Sequence, residues 1–274
     1  MKPVEKTVRL SSGLTLPFLE QGDPNGTPVL FLHGVTDSMH SFDPVLPHLP
    51  DWMRAFALTQ RGHGDAYGPE RGYRTRDFAD DVGHFLEAME VDRVTLVGHS
   101  MGATNAQRFA IDHPSRTSAL VLVGAFASYR NNAGLVEFRE TELSRLQDPI
   151  DPAFAREFQA STLAAPIAPT FLDLVVRESL KVRAHVWRAV FDGFFEDDFA
   201  QELGDIQAPT LLVWGDRDAL SHRPDQDIAL RTIPRADLQV YEGSGHAVHW
   251  ERPARFAQDV CTFVRERLEP RCIR

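Results

Sequence analysis

The sequence is poor in cysteine and in positive charge. Its 274 residues include only two cysteines, Cys261 in a helix-like segment and Cys272 in the C-terminal tail. We therefore expect a reducing compartment and no disulfide framework. Lys and Arg together number 29 against 39 Asp and Glu, which gives a formal net charge of -10. Because phosphate neutralisation needs clustered Lys and Arg, this balance argues against a nucleic-acid partner.

Long hydrophobic runs are also missing. No apolar stretch approaches the roughly 18 residues that a membrane-spanning helix requires. The charged segment Met1–Leu10 lacks the apolar core of a signal peptide. We therefore expect a cytoplasmic protein with no membrane partner. The composition, 43% hydrophobic and 25% charged, is ordinary for a globular chain, and the length suits one large α/β domain or a core with a small insertion.

Short apolar runs bounded by Gly, Pro and Asp recur along the chain, as in parallel strands that are buried on both faces. They are Val29–His33, Ala55–Thr59, Val94–Gly98, Ala119–Gly124 and Thr210–Gly215. Helical patterns lie between several of them, one after a candidate cap at Thr75 and another opened by Pro253. Thr7–Leu10 and Leu14–Glu20 have the pattern of an antiparallel edge hairpin. The alternation predicts a doubly wound, mostly parallel α/β sheet.

The alternation of strands and helices stops between about Ser128 and Leu203. This stretch is helix-like, is broken by several prolines and is rich in phenylalanine. It predicts a helical cap of residues 128–203, inserted into a core formed by 1–127 and 204–274. Most of its aromatic rings are expected to form the cap's own core, and some to wall an apolar substrate pocket. The candidate pocket residues are Phe126, Phe138, Phe158, Trp187 and Phe191.

The segment Val94–Gly102 carries the strongest chemical signal. A strand-like run breaks at Gly-His-Ser-Met-Gly, and a helix-like segment follows at once. Such a corner lifts the hydroxyl of Ser100 clear of the sheet, where a base can reach it. Side chains at Gly98 or Gly102 would crowd the turn. The amide of Met101, at the start of the helix, can point at a developing oxyanion.

A serine hydroxyl needs an oriented base, and His246 is the best candidate among eleven histidines. It follows the strand-like run Leu238–Tyr241 in a Gly-Ser-Gly-His loop, which can place a side chain over the carboxyl edge of the sheet. His249, three residues on, suits a structural hydrogen bond better. His99 adjoins the nucleophile, but neighbours in a sharp turn point apart, so we expect it to be buried support. His33, in the sequence His33-Gly34, is expected to shape the loop after its strand.

The acid that orients this base is expected after another strand end. The run Thr210–Gly215 leads into Asp216-Arg217-Asp218. Asp218 lies far enough along the loop to turn back toward a histidine, whereas Asp216 is better placed to brace the turn or to pair with Arg217. No carboxylate follows the run Ala119–Gly124 before Glu137, which favours Asp218 further.

Two further features bear on the site. The loop after Val29–His33 is expected to supply a second oxyanion donor, the amide of Val35, where Gly34 lets the backbone approach the substrate. The pattern His246-x-x-His249-x-Glu251 raises the alternative of a metal site. The Gly-x-Gly-His context explains His246 better, and we expect no metal and no cofactor.

These motifs, in this order, resemble the α/β-hydrolase fold superfamily over nearly the whole chain. The matching blocks are His33-Gly34, Gln60-Arg61-Gly62-His63-Gly64-Asp65, Gly98-His99-Ser100-Met101-Gly102, Trp214-Gly215-Asp216-Arg217-Asp218 and Gly245-His246. The resemblance implies an eight-stranded, mostly parallel sheet with an inserted helical cap. It also implies nucleophile Ser100, acid Asp218 and base His246, with the amides of Val35 and Met101 as the oxyanion hole. Arg61 and the glycines beside it are then loop-shaping residues.

The resemblance leaves several reactions open. A serine at position 100 disfavours dehalogenases and epoxide hydrolases of this fold, which use an aspartate. The expected activity is cleavage of a carboxylic ester or lactone of a small to medium, mostly apolar molecule through an acyl-enzyme. A carbon–carbon bond hydrolase, for which Arg183 or Arg188 would bind a substrate carboxylate, and a cofactor-free perhydrolase are the alternatives with the same triad. A ligand-binding receptor on this scaffold is the non-enzymatic alternative.

Overall fold

The computed structural model describes residues 2–268, and its centre is one mixed sheet of eight strands. The strands are β1 (Val4–Arg9), β2 (Thr15–Gly22), β3 (Thr27–Leu32), β4 (Met53–Leu58), β5 (Val94–His99), β6 (Thr117–Val123), β7 (Thr210–Gly215) and β8 (Ala236–Tyr241). They lie in the order β1-β2-β4-β3-β5-β6-β7-β8. Pairing is antiparallel between β1 and β2 and between β2 and β4, and parallel elsewhere. The predicted doubly wound sheet with an antiparallel edge hairpin is confirmed.

Helices cover both faces of the sheet. They are α1 (Thr75–Ala88), α2 (Met101–Asp112), α3 (Ala133–Thr141), α4 (Pro152–Ser161), α5 (Pro169–Ser179), α6 (Ala184–Glu196), α7 (Arg223–Thr232), α8 (Val248–Glu251) and α9 (Pro253–Leu268). As predicted, α9 begins at Pro253. Within residues 2–268, no helix has both the length and the apolar character needed to cross a bilayer.

The predicted cap at Thr75 is wrong by one residue. Thr75 is the first residue of α1, and Arg74 occupies the capping position. The backbone N–H of Thr75 donates to the carboxylate of Asp197, 3.0 Å away, while Asp77 in the first turn accepts from the N–H of Arg74 at 2.8 Å. A distant aspartate therefore satisfies one of the free amides at the start of the helix, and the hydroxyl of Thr75 does not cap it.

The central strands are buried along their whole length because both faces of the sheet are covered. All six residues of β5 are buried, and so are all six of β7. Successive side chains of β5 enter opposite layers: Leu96 packs in the cluster that contains Phe85 of α1, and Val97 in the cluster that contains Phe256 of α9. This is the period of two that a strand imposes on its side chains.

The segment between β6 and β7 contains helices and turns but, in the described residues, no strand. Its apolar side chains form a core of their own around Trp187, which is fully buried. The rings of Phe154 and Phe158 lie 5.5 and 4.9 Å from that of Trp187. The helical character expected for residues 128–203 is therefore present, and this layer lies over the carboxyl ends of the central strands. The division into a core and a cap domain remains our interpretation.

Gly102, in the first turn of α2, sets how closely this helix approaches the sheet. A Cβ atom there would lie 2.0 Å from the carbonyl oxygen of Leu32 at the end of β3. We expect Gly102→Ala to lower the free energy of unfolding by about 3 kcal/mol, because backbone would have to move. Urea denaturation followed by circular dichroism measures this.

The matched control is Gly83→Ala in the interior of α1. There the nearest atom to an added Cβ is a Phe109 ring carbon at an ordinary 3.8 Å. Since alanine is the better helix former, we expect this change to stabilise the protein by about 0.5–1 kcal/mol. Equal losses for the two variants would contradict the close-approach argument.

Candidate active site

Ser100 lies in a strained turn between β5 and α2. Its φ of +52° is in the left-handed region, which residues other than glycine rarely adopt. The Ser100 N–H donates to the carbonyl of Val123 at 2.9 Å, which fastens the turn to β6. At Gly98 an added Cβ would lie 2.3 Å from the carbonyl oxygen of Gly102. The close packing predicted for the two glycines is therefore present, and it places the serine at the end of the strand.

His246 and Asp218 form a buried, hydrogen-bonded pair in the loops that follow β8 and β7. The Nδ1 atom of His246 lies 2.8 Å from Oδ2 of Asp218, and both side chains are almost inaccessible to solvent. The other carboxylate oxygen accepts from the N–H groups of Leu220 at 2.8 Å and Ser221 at 2.9 Å. With Asp218 held in this way, the imidazole is oriented with Nδ1–H toward the acid. Its Nε2 has no hydrogen-bond partner among the described residues.

The loop that carries His246 is held from both sides. The N–H groups of His246 and Ala247 both donate to the carbonyl of Thr162, at 2.8 and 3.1 Å. On the opposite side Gly124, at the end of β6, contacts the ring: an added Cβ there would lie 2.7 Å from two imidazole atoms. The ring therefore has little freedom to leave its position beside Asp218.

Glu251 links the same loop to the helical layer. One of its carboxylate oxygens accepts from the N–H groups of Ala164 and Ala165 at 2.7 and 3.0 Å, and the N–H of Gly245 lies 3.1 Å from the other. Backbone donors on both oxygens hold the carboxylate in one position. The residues before His246 and those after α4 are therefore fastened to one side chain.

The pattern His246-x-x-His249-x-Glu251 does not form a metal site in this arrangement. Glu251 is engaged by amides, His246 faces Asp218, and Nε2 of His249 lies 3.1 Å from the hydroxyl of Ser41. Burial lowers the pKa of His249 to about 3, so its ring is neutral. Within residues 2–268 no three His, Cys, Asp or Glu side chains are grouped as metal ligands.

The other candidate residues of the sequence support the loops. His99 is buried, with its ring centre 4.8 Å from that of His246 and 4.5 Å from that of His249, and burial lowers its pKa well below the usual value. His33 accepts the N–H of Gln60 through Nε2 at 2.9 Å. Asp216 accepts the N–H of Gly243 at 2.6 Å and so braces the turn beside Asp218.

Ser100 and His246 line one cavity of about 360 Å³ between the sheet and the helical layer. Val35 lies on its wall, while Met101, at the start of α2, is fully buried beneath the serine turn. Eight further large side chains of the lining are apolar or aromatic: Phe126, Tyr129, Leu135, Phe138, Phe158, Phe191, Phe194 and Leu220. Polar residues, among them Asn132, Thr162 and His222, also line the cavity. A space of this size and character suits a small to medium organic molecule.

Trp187 differs from the expectation for the pocket. The four phenylalanines named with it line the cavity, whereas Trp187 does not. Its indole is fully buried inside the helical layer, and Phe158, which packs edge-on against it, takes the position at the wall. Both α4 and α6 supply aromatic residues, and only their packing decides which ring faces the cavity.

The sequence analysis missed the polar residues of the cavity, above all Asp37 and Gln159. Asp37 is only 2% exposed, and its burial raises the pKa of the carboxyl to about 7. Gln159 of α4 donates to it at 2.9 Å. The only local signal for Asp37 was its place in the loop after β3, and Gln159 had none.

Two relatives of known name match this chain over most of their length. A 2-(acetamidomethylene)succinate hydrolase of Mesorhizobium japonicum is 26% identical over 266 residues, 92% of each chain. A non-heme chloroperoxidase of Streptomyces lividans is 28% identical over 275 residues, covering 94% of this chain and 99% of the relative. Their names differ in chemistry, so similarity alone selects no reaction.

The fold is found in solved structures as well. An esterase from Exiguobacterium antarcticum superposes with a TM-score of 0.84 at 21% identity, covering 96% of this chain and all of that one. The model of the alpha/beta hydrolase family matches residues 29–259, a range that includes the serine turn, the Asp218 loop and the His246 loop. The chain therefore belongs to the alpha/beta hydrolase family.

Proposed function

We propose that this protein is a serine hydrolase that cleaves a carboxylic ester or lactone of a small to medium, mostly apolar substrate. Ser100 is the nucleophile, His246 the general base and Asp218 the acid that orients it. The observation that carries the proposal is the pairing of Asp218 with Nδ1 of His246 at 2.8 Å, with Nε2 unpartnered at the cavity that Ser100 also lines. This is the arrangement that activates a hydroxyl.

In the first half-reaction Ser100 Oγ attacks the substrate carbonyl carbon while Nε2 of His246 takes the hydroxyl proton. The carbonyl oxygen becomes an oxyanion, which the amides of Val35 and Met101 stabilise. Each such donor is worth about 2.7–4 kcal/mol in the transition state. As the tetrahedral intermediate collapses, His246 gives the proton to the leaving alkoxide, and the acyl group stays on Ser100.

In the second half-reaction water replaces the alcohol. Nε2 of His246 removes a proton from the water as it attacks the acyl carbonyl, and the ring returns that proton to Ser100 Oγ when the acid product leaves. Twice per cycle the imidazole is positively charged. The buried carboxylate of Asp218 stabilises this charge, and its two backbone donors hold it in place.

The charge of the cavity favours an ester or lactone over the carbon–carbon bond substrates. None of the described lining residues is Lys or Arg, so no fixed cation is present to bind a substrate carboxylate. Arg188 instead donates to the carbonyl of Leu146, away from the cavity, and Arg183 is exposed to solvent. The role that the sequence left open for these two arginines is not supported.

Ser100→Ala tests the nucleophile. Without Oγ no acyl-enzyme can form, and we expect kcat on a short 4-nitrophenyl ester to fall by about 10⁶. Initial-rate kinetics at 405 nm together with labelling by a fluorophosphonate probe measure this, with mass spectrometry to locate the label. A labelled wild-type protein that carries the probe elsewhere, or an alanine variant that keeps its activity, would contradict the assignment.

Asp218→Asn tests the orienting acid, and Asp216→Asn is its matched control in the same turn. The amide at position 218 cannot stabilise the imidazolium and favours the wrong tautomer of His246, so we expect kcat to fall by about 10⁴. Within residues 2–268 the Asp216 carboxylate accepts a hydrogen bond only from the N–H of Gly243, so its variant is expected to stay within a few-fold of wild type. Similar losses in both variants would indicate a structural effect of the turn and not an orienting role.

A further inference from the structure

One part of the cavity wall is acidic although most of the lining surface is apolar. Asp37, in the loop that follows β3, and Gln159, near the end of α4, both line the cavity and are almost fully buried. Asp37 comes from the core and Gln159 from the helical layer. Asp37 lies beside Gly34, where an added Cβ would lie 3.1 Å from its Oδ2. The pair is therefore next to the loop that carries Val35.

The carboxyl of Asp37 is only partly satisfied by the protein. Its Oδ1 accepts from Nε2 of Gln159 at 2.9 Å, and its Oδ2 accepts a long hydrogen bond of 3.3 Å from the hydroxyl of Ser41. The backbone of Gly34 adds a third hydrogen bond to this carboxyl. A carboxylate can accept about four hydrogen bonds, so the group can accept about one more. No Lys or Arg among the described residues forms an ion pair with it.

The remaining ionisable groups around Asp37 come from three elements. His99 of β5 places Nδ1 3.9 Å from Oδ2, and His249 of α8 reaches the carboxyl only through Ser41. Burial keeps both rings neutral. Glu178 of α5 adds negative charge, partly offset by its own ion pair with Lys181 at 2.9 Å. Burial and Glu178 together raise the pKa of Asp37 to about 7.

We propose that Asp37 and Gln159 form a polar subsite that binds a hydroxyl group of the substrate close to the reacting carbonyl. The proposal rests on the ester or lactone hydrolysis proposed above and deepens it to esters of hydroxylated acids or alcohols. A hydroxyl can donate to the carboxylate of Asp37 at little desolvation cost. A substrate carboxylate at the same place would be repelled, since no cation is present to offset its charge.

The test compares two nearly isosteric substrates, the 4-nitrophenyl esters of 3-hydroxybutanoate and 3-methylbutanoate. A second pair, 2-hydroxyethyl butanoate and propyl butanoate, places the hydroxyl on the alcohol side. For wild-type protein at pH 8 we expect kcat/KM to be about tenfold higher for the hydroxylated member of at least one pair. In Asp37→Asn that ratio is expected to approach one.

The ratio of the two kcat/KM values is also measured as a function of pH. If Asp37 had only a structural role, this ratio would not change with pH. As the pH rises through about 7, Asp37 loses its proton and becomes a stronger acceptor, so the preference for the hydroxylated ester should rise. Any pH-dependent step that the two esters share cancels in the ratio. Since this measurement uses wild-type protein, it decides the proposal even where Asp37→Asn does not fold.

Asp43→Asn is the control, because Asp43 lies six residues along the chain, pairs with His40 at 3.1 Å and does not line the cavity. Its ratio is expected to equal that of wild type at every pH. Ser100-dependent hydrolysis of both esters with a ratio near one at all pH values would overturn the subsite and leave the proposed function intact. Failure to hydrolyse any ester, with no label on Ser100, would overturn both.

Discussion

The hydrogen bond between Asp218 and His246 constrains the rest of the site. It joins loops from two adjacent strands, β7 and β8, inside a region almost closed to water. Taking a carboxylate out of water is costly unless donors surround it, and here two backbone amides and the imidazole fill that role. Gly124 can only be glycine because the ring occupies the space of its Cβ. The sheet order matters because only β6 lies between β7 and β5, the strand that leads into Ser100.

The core and the helical layer line one cavity, and they contribute side chains of different chemistry to it. The core supplies polar groups on short loops at the strand ends, where parallel strands place their carboxyl termini together. The helical layer supplies aromatic surface, which excludes water and lowers the local dielectric, so the hydrogen bond between Asp218 and His246 is stronger. The hydrogen bond between Asp37 and Gln159 joins the two parts, since Asp37 comes from the core and Gln159 from the helical layer.

The sequence predicted the elements whose information is local. Uniformly apolar runs marked the buried strands, and the glycines beside Ser100 marked a turn that no other residue could adopt without a clash. Features that depend on distant partners could not be read in the same way. The amide of Thr75 is satisfied by Asp197, 122 positions away, and Gln159 meets Asp37 across the same separation. The sequence does not show which of Trp187 and Phe158 lines the cavity, because this depends on how α4 packs on α6.

The contacts of Glu251 bear on how substrate preference can change in this family. Its carboxylate fastens Ala164 and Ala165 to Gly245, and Thr162 is bonded to the amide of His246 itself. A helical layer transplanted from a relative would bring new aromatic rings to the cavity but also a new backbone path at this junction. Chimeras are therefore best built with crossover points that leave residues 162–165 and 245–251 from the same parent, so that new specificity is acquired without loosening the imidazole.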